Sequence, residues 1–430
     1  MSSEKEKIGM IGIGYVGLVT ATCLAELGNR VVCMDIDAGK IESLKNGEIP
    51  IFEPGLAELI EKNRGRLDFT TALEDVFKQC EIVFIAVDTP PTFTGDADLS
   101  RVFAVMSSLP GMPDGHHILV MKSTVPVGTG GKISRELNRQ KIGSIDYVSN
   151  PEFLREGSAI GDFLNPDRIV IGSQTPEAGE KVARLYRKLD KPILMTGIAT
   201  AEMIKYASNA FLATKISFIN EIANVCDEIG ADVSVVAEGM GYDQRIGDSF
   251  LNAGIGFGGS CFPKDVTALK QIAGNSGYHF QLLTAVIEVN ELQKRRVVNK
   301  LKKHLGPLTD KTIALLGLAF KPNTNDLREA SSIVLASRLL GDGAYVKAYD
   351  PVAIPDAARA VRGVLLCDDV LSAVDGSDAA VLVTEWDEFA ELPLAEMKQR
   401  MRHPLIIDGR NFLDPDKIRA AGFTYEGIGR

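Results

Sequence analysis

A cysteine stands in a glycine-rich loop in the middle of this 430-residue sequence, in the stretch GFGGSCFPKD. Pro263 follows Cys261 by two positions and precedes VTALKQIA, a run with the pattern of a helix, so we expect Pro263 in the first helical turn. Cys261 would then lie near a helix N-terminus, where exposed N–H groups favour a thiolate. A thiolate is a nucleophile; the alternative is a glycine hinge that carries a thiol.

Two other segments carry side chains that could take part in chemistry. Lys205 and Asn209 are four positions apart in a helical pattern, which puts both on one helix face. NPEFLREG follows a strand pattern and carries Glu152 and Glu156, which we expect on one helical turn, at the end of a strand where open α/β sheets bind ligands. The alternatives are a solvated helix face and two ordinary carboxylates at a helix N-terminus.

Three glycines near the N-terminus form the pattern G-x-G-x-x-G. Gly12, Gly14 and Gly17 lie between a strand pattern and a helix pattern, and Asp35 ends the next strand. In a dinucleotide site these glycines permit the turn, the approach of the pyrophosphate and close helix–sheet packing, while the acid binds the ribose. Asp35 would repel a 2′-phosphate, which favours NAD over NADP. A glycine turn without a nucleotide is the alternative, and only Gly317 stands at the corresponding turn of the C-terminal third.

The elements that must position these residues form two α/β regions with helices between them. Apolar runs bounded by turns alternate with helical patterns, which predicts βα units on mainly parallel sheets. A long helix is expected from about Thr200 to Ala223, more helices to about Leu305, and a second βαβ pattern from TIALLGLAF onward. We therefore predict an α/β protein of two Rossmann-like, doubly wound sheets joined by a long central helix and a helical dimerisation region.

Composition narrows the class of protein. The sequence is 45% hydrophobic and 24% charged, as in ordinary globular proteins, and no stretch approaches the ~20 apolar residues of a membrane span. A net charge of −10 argues against nucleic-acid binding. The six cysteines show neither CxxC nor metal-ligand spacing, and the polar start leaves no room for a signal peptide. We expect a cytoplasmic, metal-free protein with no nucleic-acid or membrane partner.

Seven motifs occur along the chain in this order: GIGYVG, KSTVPVGT, NPEFLREG, IKYASNAF, DQRIG, GFGGSCFPKD and AFKPNTNDLREA. This order is similar to that of the UDP-glucose/GDP-mannose dehydrogenase family. The resemblance implies NAD-dependent oxidation of the C6 alcohol of a nucleotide sugar to a carboxylate, with two NAD⁺ used per turnover. It favours UDP-glucose as the substrate and implies a homodimer or a higher homo-oligomer.

The resemblance also implies a domain division and a set of site residues. We expect an NAD-binding domain at 1–199, a helical dimerisation region with catalytic residues at 200–305 and a nucleotide-sugar-binding domain at 306–430. The implied catalytic residues are Cys261 as nucleophile through a thiohemiacetal and a thioester, Lys205 and Asn209 for oxyanion charge, Asp265 as acid/base, Glu152 for hydrolysis and Thr124 for water. The implied cofactor-binding residues are Gly12, Gly14, Tyr15, Val16, Gly17, Asp35, Lys40, Thr89, Thr124, Glu156 and Arg328. The implied substrate-binding residues are Glu152, Phe153, Leu154, Arg155, Glu156, Lys205, Asn209, Arg245 (reaching the neighbouring subunit's site), Phe250, Leu251, Asn252, Ala253, Gly254, Gly258, Lys321 and Arg410.

Several alternatives stay open. Oxidation of GDP-mannose would use the same catalysis, whereas enzymes for UDP-N-acetylmannosamine are less favoured because they typically carry His where this sequence has Ser260. One-step β-hydroxyacid dehydrogenases share a Rossmann domain and a Lys/Asn helix but lack the nucleophilic cysteine, so they yield one NADH per substrate and not two. A regulatory NAD sensor would not need Cys261, Asp265, Lys205 and Asn209 together.

Overall fold

The computed structural model describes residues 6–109, 115–139 and 145–430. It divides into two compact units, Met1–Ser208 and Asn209–Arg430. The division expected from the sequence, into 1–199, 200–305 and 306–430, stays a prediction. Among the described residues, no helix is both long and apolar enough to cross a membrane.

The first unit contains one large sheet. Its strands are β1 (Lys7–Ile11), β2 (Arg30–Met34), β3 (Leu67–Thr70), β4 (Ile82–Ile85), β5 (His117–Met121), β6 (Ile145–Ser149), β7 (Ile169–Ser173) and β8 (Ile193–Thr196). Over the described residues their order is β3-β2-β1-β4-β5-β6-β7-β8, with β6 and β7 antiparallel and the other neighbours parallel. The mainly parallel sheet predicted from the sequence is confirmed.

Helices cover both faces of this sheet. They are α1 (Tyr15–Glu26), α2 (Ala38–Lys45), α3 (Leu56–Lys62), α4 (Leu73–Gln79), α5 (Ser100–Ser108), α6 (Thr129–Arg139), α7 (Ala159–Leu164) and α8 (Pro176–Tyr186). Successive residues of β4 point to opposite faces, so Phe84 joins one apolar cluster while Val83 and Ile85 join another. Burial on both faces explains why the strand IVFI is apolar throughout.

The long helix predicted from about Thr200 to Ala223 is longer than expected. The helix α9 runs over Ile198–Ile229, 32 residues with neither glycine nor proline. It ends at Gly230, which has a φ of +74° and bonds to the carbonyl of Cys226 at 2.9 Å. Glycine is the usual residue at such a helix end because it adopts a positive φ without strain.

The second unit begins with helices and continues into a parallel sheet. The helices before the sheet are α10 (Val233–Gly241), α11 (Phe262–Asn275), α12 (Gln281–Gln293) and α13 (Arg296–Leu305). The strands are β9 (Thr312–Leu316), β10 (Tyr345–Tyr349), β11 (Val364–Leu366), β12 (Ala379–Leu382), β13 (Leu405–Asp408) and β14 (Thr424–Glu426). The helices among them are α14 (Ser331–Gly341), α15 (Ile354–Ala360), α16 (Val370–Val374), α17 (Leu394–Arg400) and α18 (Pro415–Ala420).

These strands follow a doubly wound order. In the described part of the unit the sheet runs β11-β10-β9-β12-β13-β14, and all neighbouring strands are parallel. This is the 3-2-1-4-5-6 order of a Rossmann fold. The second Rossmann-like sheet predicted from the sequence is confirmed.

Candidate active site

The glycine turn between β1 and α1 fits a dinucleotide. Gly12 has a φ of +89°, and a Cβ on Gly17 would lie 1.9 Å from the Gly12 carbonyl oxygen. A Cβ on Gly14, in contrast, would meet only Asp88 Oδ1, at 3.4 Å, within 4 Å. Gly14 is also the N-cap of α1, so the first-turn N–H groups, including those of Tyr15 and Val16, have no side-chain cap. Such a helix start can bind a pyrophosphate.

Asp35 follows β2 beside this turn. Its carboxylate accepts hydrogen bonds from Ile13 N at 2.8 Å, Asp37 N at 3.1 Å and Lys40 Nζ at 3.0 Å. Burial alone would raise the pKa of Asp35, but these hydrogen bonds and the charge of Lys40 outweigh it and lower the pKa. Asp35 is therefore ionised at neutral pH, as an acceptor for ribose hydroxyls must be.

The second sheet repeats this arrangement with one difference. Gly12 N bonds to Met34 O and Gly317 N bonds to Tyr349 O, both at 2.8 Å. Asp350 takes the place of Asp35. Its two oxygens accept from five donors, Leu318 N, Ala319 N, Val352 N, Ala353 N and Trp386 Nε1, and the residue is buried. These bonds use most of the acceptor capacity that a ribose would need.

Thr89 and Thr124, two residues implied at the cofactor, are in contact. Thr89 Oγ1 donates to the Thr124 carbonyl at 2.8 Å, which connects the segments after β4 and β5. A residue of α9 holds the segment after Thr124 in place: Glu202 accepts hydrogen bonds from Gly128 N at 2.6 Å and Gly130 N at 2.8 Å. Glu202 therefore caps the start of α6.

Lys205 and Glu152 form a buried ion pair in the first unit. Their Nζ–Oε1 distance is 2.9 Å and both side chains are 5% exposed. Burial alone would raise the pKa of Glu152, but the charge and hydrogen bond of Lys205, together with Lys122, lower it. Two cations lie over the Phe153 ring, with Arg168 Cζ 3.6 Å and Lys205 Nζ 5.4 Å from its centroid.

The segment NPEFLREG is irregular, so the prediction that Glu152 and Glu156 share a helical turn was wrong. Two of its backbone N–H groups donate to carboxylates and not to carbonyls four residues back: Leu154 N donates to Glu152 Oε2 at 2.5 Å and Arg155 N to Asp162 Oδ2 at 2.8 Å. Arg155 also forms a salt bridge with Asp162 at 2.6 Å. The conformation of the segment thus depends on the carboxylates of Glu152, within it, and of Asp162, in α7.

Glu53 connects the cofactor turn with this segment. Its carboxylate accepts from the Tyr15 hydroxyl, from Gly157 N at 2.6 Å and from Ala159 N at 2.7 Å. Burial and the neighbouring Glu53 raise the pKa of Tyr15, so its hydroxyl stays a donor. The sequence alone did not single out Glu53, since no motif marks it.

Lys122 is a second residue that sequence reasoning missed. Its Nζ donates to Asn150 Oδ1 at 3.1 Å and lies 3.4 Å from the Tyr186 hydroxyl, and the residue is 4% exposed. Burial lowers the pKa of Lys122 to about 8. The sequence shows that KSTVPVGT begins with Lys122, but it does not show that this side chain is buried.

Cys261 lies where the sequence predicted. It is the N-cap of α11, Pro263 lies in the first turn, and no side chain caps the helix. The six cysteines form no disulfide with one another; Cys261 is partly exposed, and the other five are buried. Ser260 Oγ lies 3.6 Å from its Sγ. The thiol thus belongs to a partly exposed residue at a helix start.

Asp265, one turn further on, is fully buried. Its backbone N–H donates to the Cys261 carbonyl at 2.8 Å. Its two oxygens accept from Asn209 Nδ2 and Lys264 Nζ, each at 2.7 Å. In the second unit the structure therefore brings Asn209 and Asp265 together beside Cys261, and adds Lys264, which the sequence had not indicated.

The predicted substrate segment 250–254 is largely part of the core. Leu251 and Ala253 are buried in an apolar cluster, whereas the side chain of Asn252 is exposed. Phe250 has a φ of +66°, a strained value for a residue with a side chain. The backbone at Glu329 packs closely against Gly258, because a Cβ on Gly258 would lie 2.3 Å from the Glu329 carbonyl oxygen.

The predicted cationic residues of the second unit differ in how they are held. Arg410 donates to the carbonyls of Val383 at 2.7 Å, Phe320 at 3.1 Å and Gly256 at 3.3 Å, so it connects three loops. The Lys321 ammonium lies 5.5 Å from the Phe320 ring centroid. Exposed salt bridges of 2.6 and 2.7 Å pair Arg245 with Asp243 and Arg328 with Asp326.

Known proteins match this chain along almost its whole length. The NAD binding, central and UDP binding domains of the UDP-glucose/GDP-mannose dehydrogenase family match residues 6–190, 199–292 and 314–415. UDP-glucose 6-dehydrogenase TuaD of Bacillus subtilis is 52% identical over 99% of this chain and 93% of its own length. UDP-glucose 6-dehydrogenase of Pseudomonas aeruginosa is 46% identical over 99% of this chain and 97% of its own length.

A solved structure is similar as well. The UDP-glucose dehydrogenase of Pyrobaculum islandicum superposes with a TM-score of 0.92 and 38% identity, covering 100% of this chain and 98% of that protein. The glycine turn and the cysteine loop described above lie in the segments that match the NAD binding and central domains. The chain belongs to the UDP-glucose/GDP-mannose dehydrogenase family.

Proposed function

We propose that this protein oxidises the C6 alcohol of UDP-glucose to the carboxylate of UDP-glucuronate, with two NAD⁺ reduced per sugar. The observation that carries the proposal is the position of Cys261, a partly exposed residue at the start of α11. Oxidation to an aldehyde needs no nucleophile, whereas oxidation to an acid requires one to add to the aldehyde carbon. Two relatives named UDP-glucose 6-dehydrogenase support UDP-glucose as the substrate.

The proposed steps at Cys261 are as follows. Its thiolate adds to the C6 aldehyde and gives a thiohemiacetal; loss of a hydride then gives a thioester. Water attacks the thioester carbon, the thiolate leaves, and the carboxylate is released. The turn of Gly12, Gly14 and Gly17 together with Asp35 would hold NAD⁺, which would supply the hydride acceptor in both oxidations.

The residues predicted to be catalytic have separate proposed roles. Lys205, which pairs with Glu152, can stabilise negative oxygen at C6. Asn209 can donate a hydrogen bond to the same oxygen. Asp265 and Glu152 move protons to and from water, and Thr124 positions that water.

The remaining predicted contacts belong to the same proposal. Among them, Glu156 contacts both ligands, and Lys40, Thr89 and Arg328 contact the cofactor. We assign the nucleotide sugar to the segments 153–156 and 250–254 together with Gly258, Lys321 and Arg410. Arg410 forms three carbonyl bonds and a salt bridge of 3.2 Å with Glu385, but its guanidinium has five N–H groups, so it can still donate to a diphosphate or a sugar.

We also propose that the protein acts in the cytoplasm as a homodimer or a higher homo-oligomer. The side chains of Phe211, Phe218 and Val225 are 65%, 50% and 53% exposed and recur every seven residues on α9. This is the spacing of a helix–helix seam. A second copy of the chain would cover these side chains, and Arg245 would then act in the neighbouring site.

The stoichiometry of NADH tests the proposal most directly. The purified protein is incubated with limiting UDP-glucose and excess NAD⁺, NADH is measured by absorbance, and the product by mass spectrometry. We expect two NADH per UDP-glucose and a product with the mass of UDP-glucuronate. One NADH per sugar would indicate a one-step dehydrogenase. Faster turnover of GDP-mannose than of UDP-glucose would indicate the other substrate of the family.

A further inference from the structure

The loop before Cys261 is held by buried amide side chains. Gly254 N donates to Asn220 Oδ1 at 2.8 Å, and the Gly254 carbonyl accepts from Gln293 Nε2 at 2.9 Å. Phe257 forms both of its backbone bonds with one side chain: its N–H donates to Asn290 Oδ1 at 2.8 Å, and its carbonyl accepts from Asn290 Nδ2 at 3.1 Å. Asn290 therefore acts on Phe257 as a neighbouring strand would.

Asn290 occupies a position where an amphipathic helix normally carries an apolar residue. The buried side chains of α12 are Leu283, Val286, Asn290 and Gln293, at helical spacings of three and four. Asn290 is 4% exposed, and a buried amide costs free energy unless it is hydrogen-bonded. Both of its polar atoms are bonded to Phe257. A Cβ on Gly256 would lie 2.7 Å from Asn290 Oδ1, so the loop packs directly on this side chain.

A further contact leads from Phe257 to the nucleophile. The Phe257 ring meets Phe262 edge-on, with centroids 5.9 Å apart and an interplanar angle of 83°. Phe262 is the first residue of α11 and follows Cys261 directly. A shift of Phe257 would thus move the start of α11, and with it the thiol relative to the first N–H groups of that helix, which have no side-chain cap.

We infer that Asn290 is a positioning residue for Cys261, which it orients through the backbone of Phe257 and the contact of Phe257 with Phe262. The inference rests on the proposed function in taking Cys261 as the nucleophile. It assigns Asn290 no contact with the substrate. Removal of the amide should leave the fold and the cofactor turn in place but change the surroundings of the thiol.

Alkylation of Cys261 tests the inference without requiring turnover. Iodoacetamide reaction of the full-length protein is followed by peptide mass spectrometry between pH 6 and 9 for wild type, Asn290→Ala and Asn290→Asp. Asn299→Ala, an exposed position on α13, is the matched control. We expect the pH of half-maximal alkylation to rise in both Asn290 variants, because the thiol moves away from the helix start.

Two further measurements separate positioning from stability. Turnover of UDP-glucose should fall roughly 10- to 100-fold in the Asn290 variants, the effect of misplacing a reacting group by about an ångström. The dissociation constant for NAD⁺ should stay within about twofold of wild type, because the cofactor turn lies outside these contacts. A lower melting temperature or lower turnover with an unchanged alkylation profile would overturn the inference.

Phe257→Leu provides a second test if the Asn290 variants do not fold. This change keeps the backbone bonds to Asn290 and removes the aromatic contact with Phe262. We expect it to shift the alkylation profile in the same direction, and a double variant with Asn290→Ala to add little beyond either change. An unchanged profile in Phe257→Leu, or fully additive shifts, would contradict the pathway. If the wild type fails to oxidise UDP-glucose, the proposed function fails, whereas alkylation still decides the role of Asn290.

Discussion

At the scale of single residues, the proposed mechanism depends most on Cys261. Cys261→Ser keeps the shape of the side chain, but a hydroxyl at neutral pH is a much poorer nucleophile and its ester hydrolyses more slowly. We expect overall turnover to fall by roughly three orders of magnitude or more. The affinity for NAD⁺ should hardly change, and intact-mass spectrometry should detect any accumulating sugar ester. A Cys261→Ser protein that makes UDP-glucuronate at near wild-type rate would rule out covalent catalysis.

The preference for NAD over NADP should reside in Asp35. Its carboxylate is ionised, so it repels a 2′-phosphate, although Lys40 pairs with it and weakens the repulsion. We expect Asp35→Ser to raise the ratio of kcat/KM for NADP⁺ to that for NAD⁺ by roughly tenfold or more, since even 1.4 kcal/mol corresponds to a factor of ten. Comparable efficiency of the unaltered protein with both cofactors would show that Asp35 does not discriminate.

The buried Lys122 should make stability depend on pH. Burial lowers its pKa from 10.5 to about 8. Between these values the unfolded state binds more protons than the folded state, so the contribution of Lys122 to the free energy of unfolding rises with pH. Relative to Lys122→Met, which cannot titrate, wild type should gain up to about 3 kcal/mol between pH 8 and 10.5. Urea unfolding at pH 7.5, 9 and 10.5 measures the difference, and a constant difference would contradict the burial argument.

At the scale of elements, Glu53 joins α1 to the segment before α7. Glu53→Ala would leave the buried N–H group of Ala159 without its acceptor and leave Gly157 N with only the Tyr15 hydroxyl, at 3.2 Å, which should cost about 1–3 kcal/mol. Tyr15→Phe removes only one donor to the same carboxylate and should cost about 1 kcal/mol. Equilibrium unfolding in urea tests the order of these two values. Equal losses would mean that the backbone amides do not depend on Glu53.

The sequence predicted elements better than it predicted contacts. The glycine turn, the two parallel sheets and the place of Cys261 at a helix start follow local patterns, so they could be predicted. The segment NPEFLREG was wrongly expected to be helical, because its conformation depends on Glu53 and Asp162, which lie outside it. The role of Asn290 was also not predicted, because its hydrogen bonds are to Phe257, which is distant from it in the sequence.

At the scale of the whole molecule, the exposed apolar side chains on α9 predict a dimer. Phe218→Asp places a charge in the seven-residue repeat, so the association should weaken while the monomer fold, in which Phe218 is 50% exposed, is retained. Phe93→Asp is a matched control, because Phe93 is exposed but lies outside α9. Analytical ultracentrifugation at micromolar concentration should show smaller particles for Phe218→Asp alone. If the particles of Phe218→Asp have the same mass as those of the wild type, the dimer interface does not include this face of α9.

Arg245 offers the sharpest test of whether the sites are shared between subunits. Its guanidinium is exposed and pairs with Asp243 two residues away, so it is available to a neighbouring copy. Arg245→Ala and Cys261→Ala should each be nearly inactive alone. If Arg245 acts across the interface, a heterodimer of the two variants has one site with an intact Cys261 from one subunit and an intact Arg245 from the other. Random mixing makes half of the dimers mixed, so about a quarter of wild-type activity should return. If Arg245 serves its own subunit, both sites of the heterodimer lack a required residue, and mixing should restore nothing.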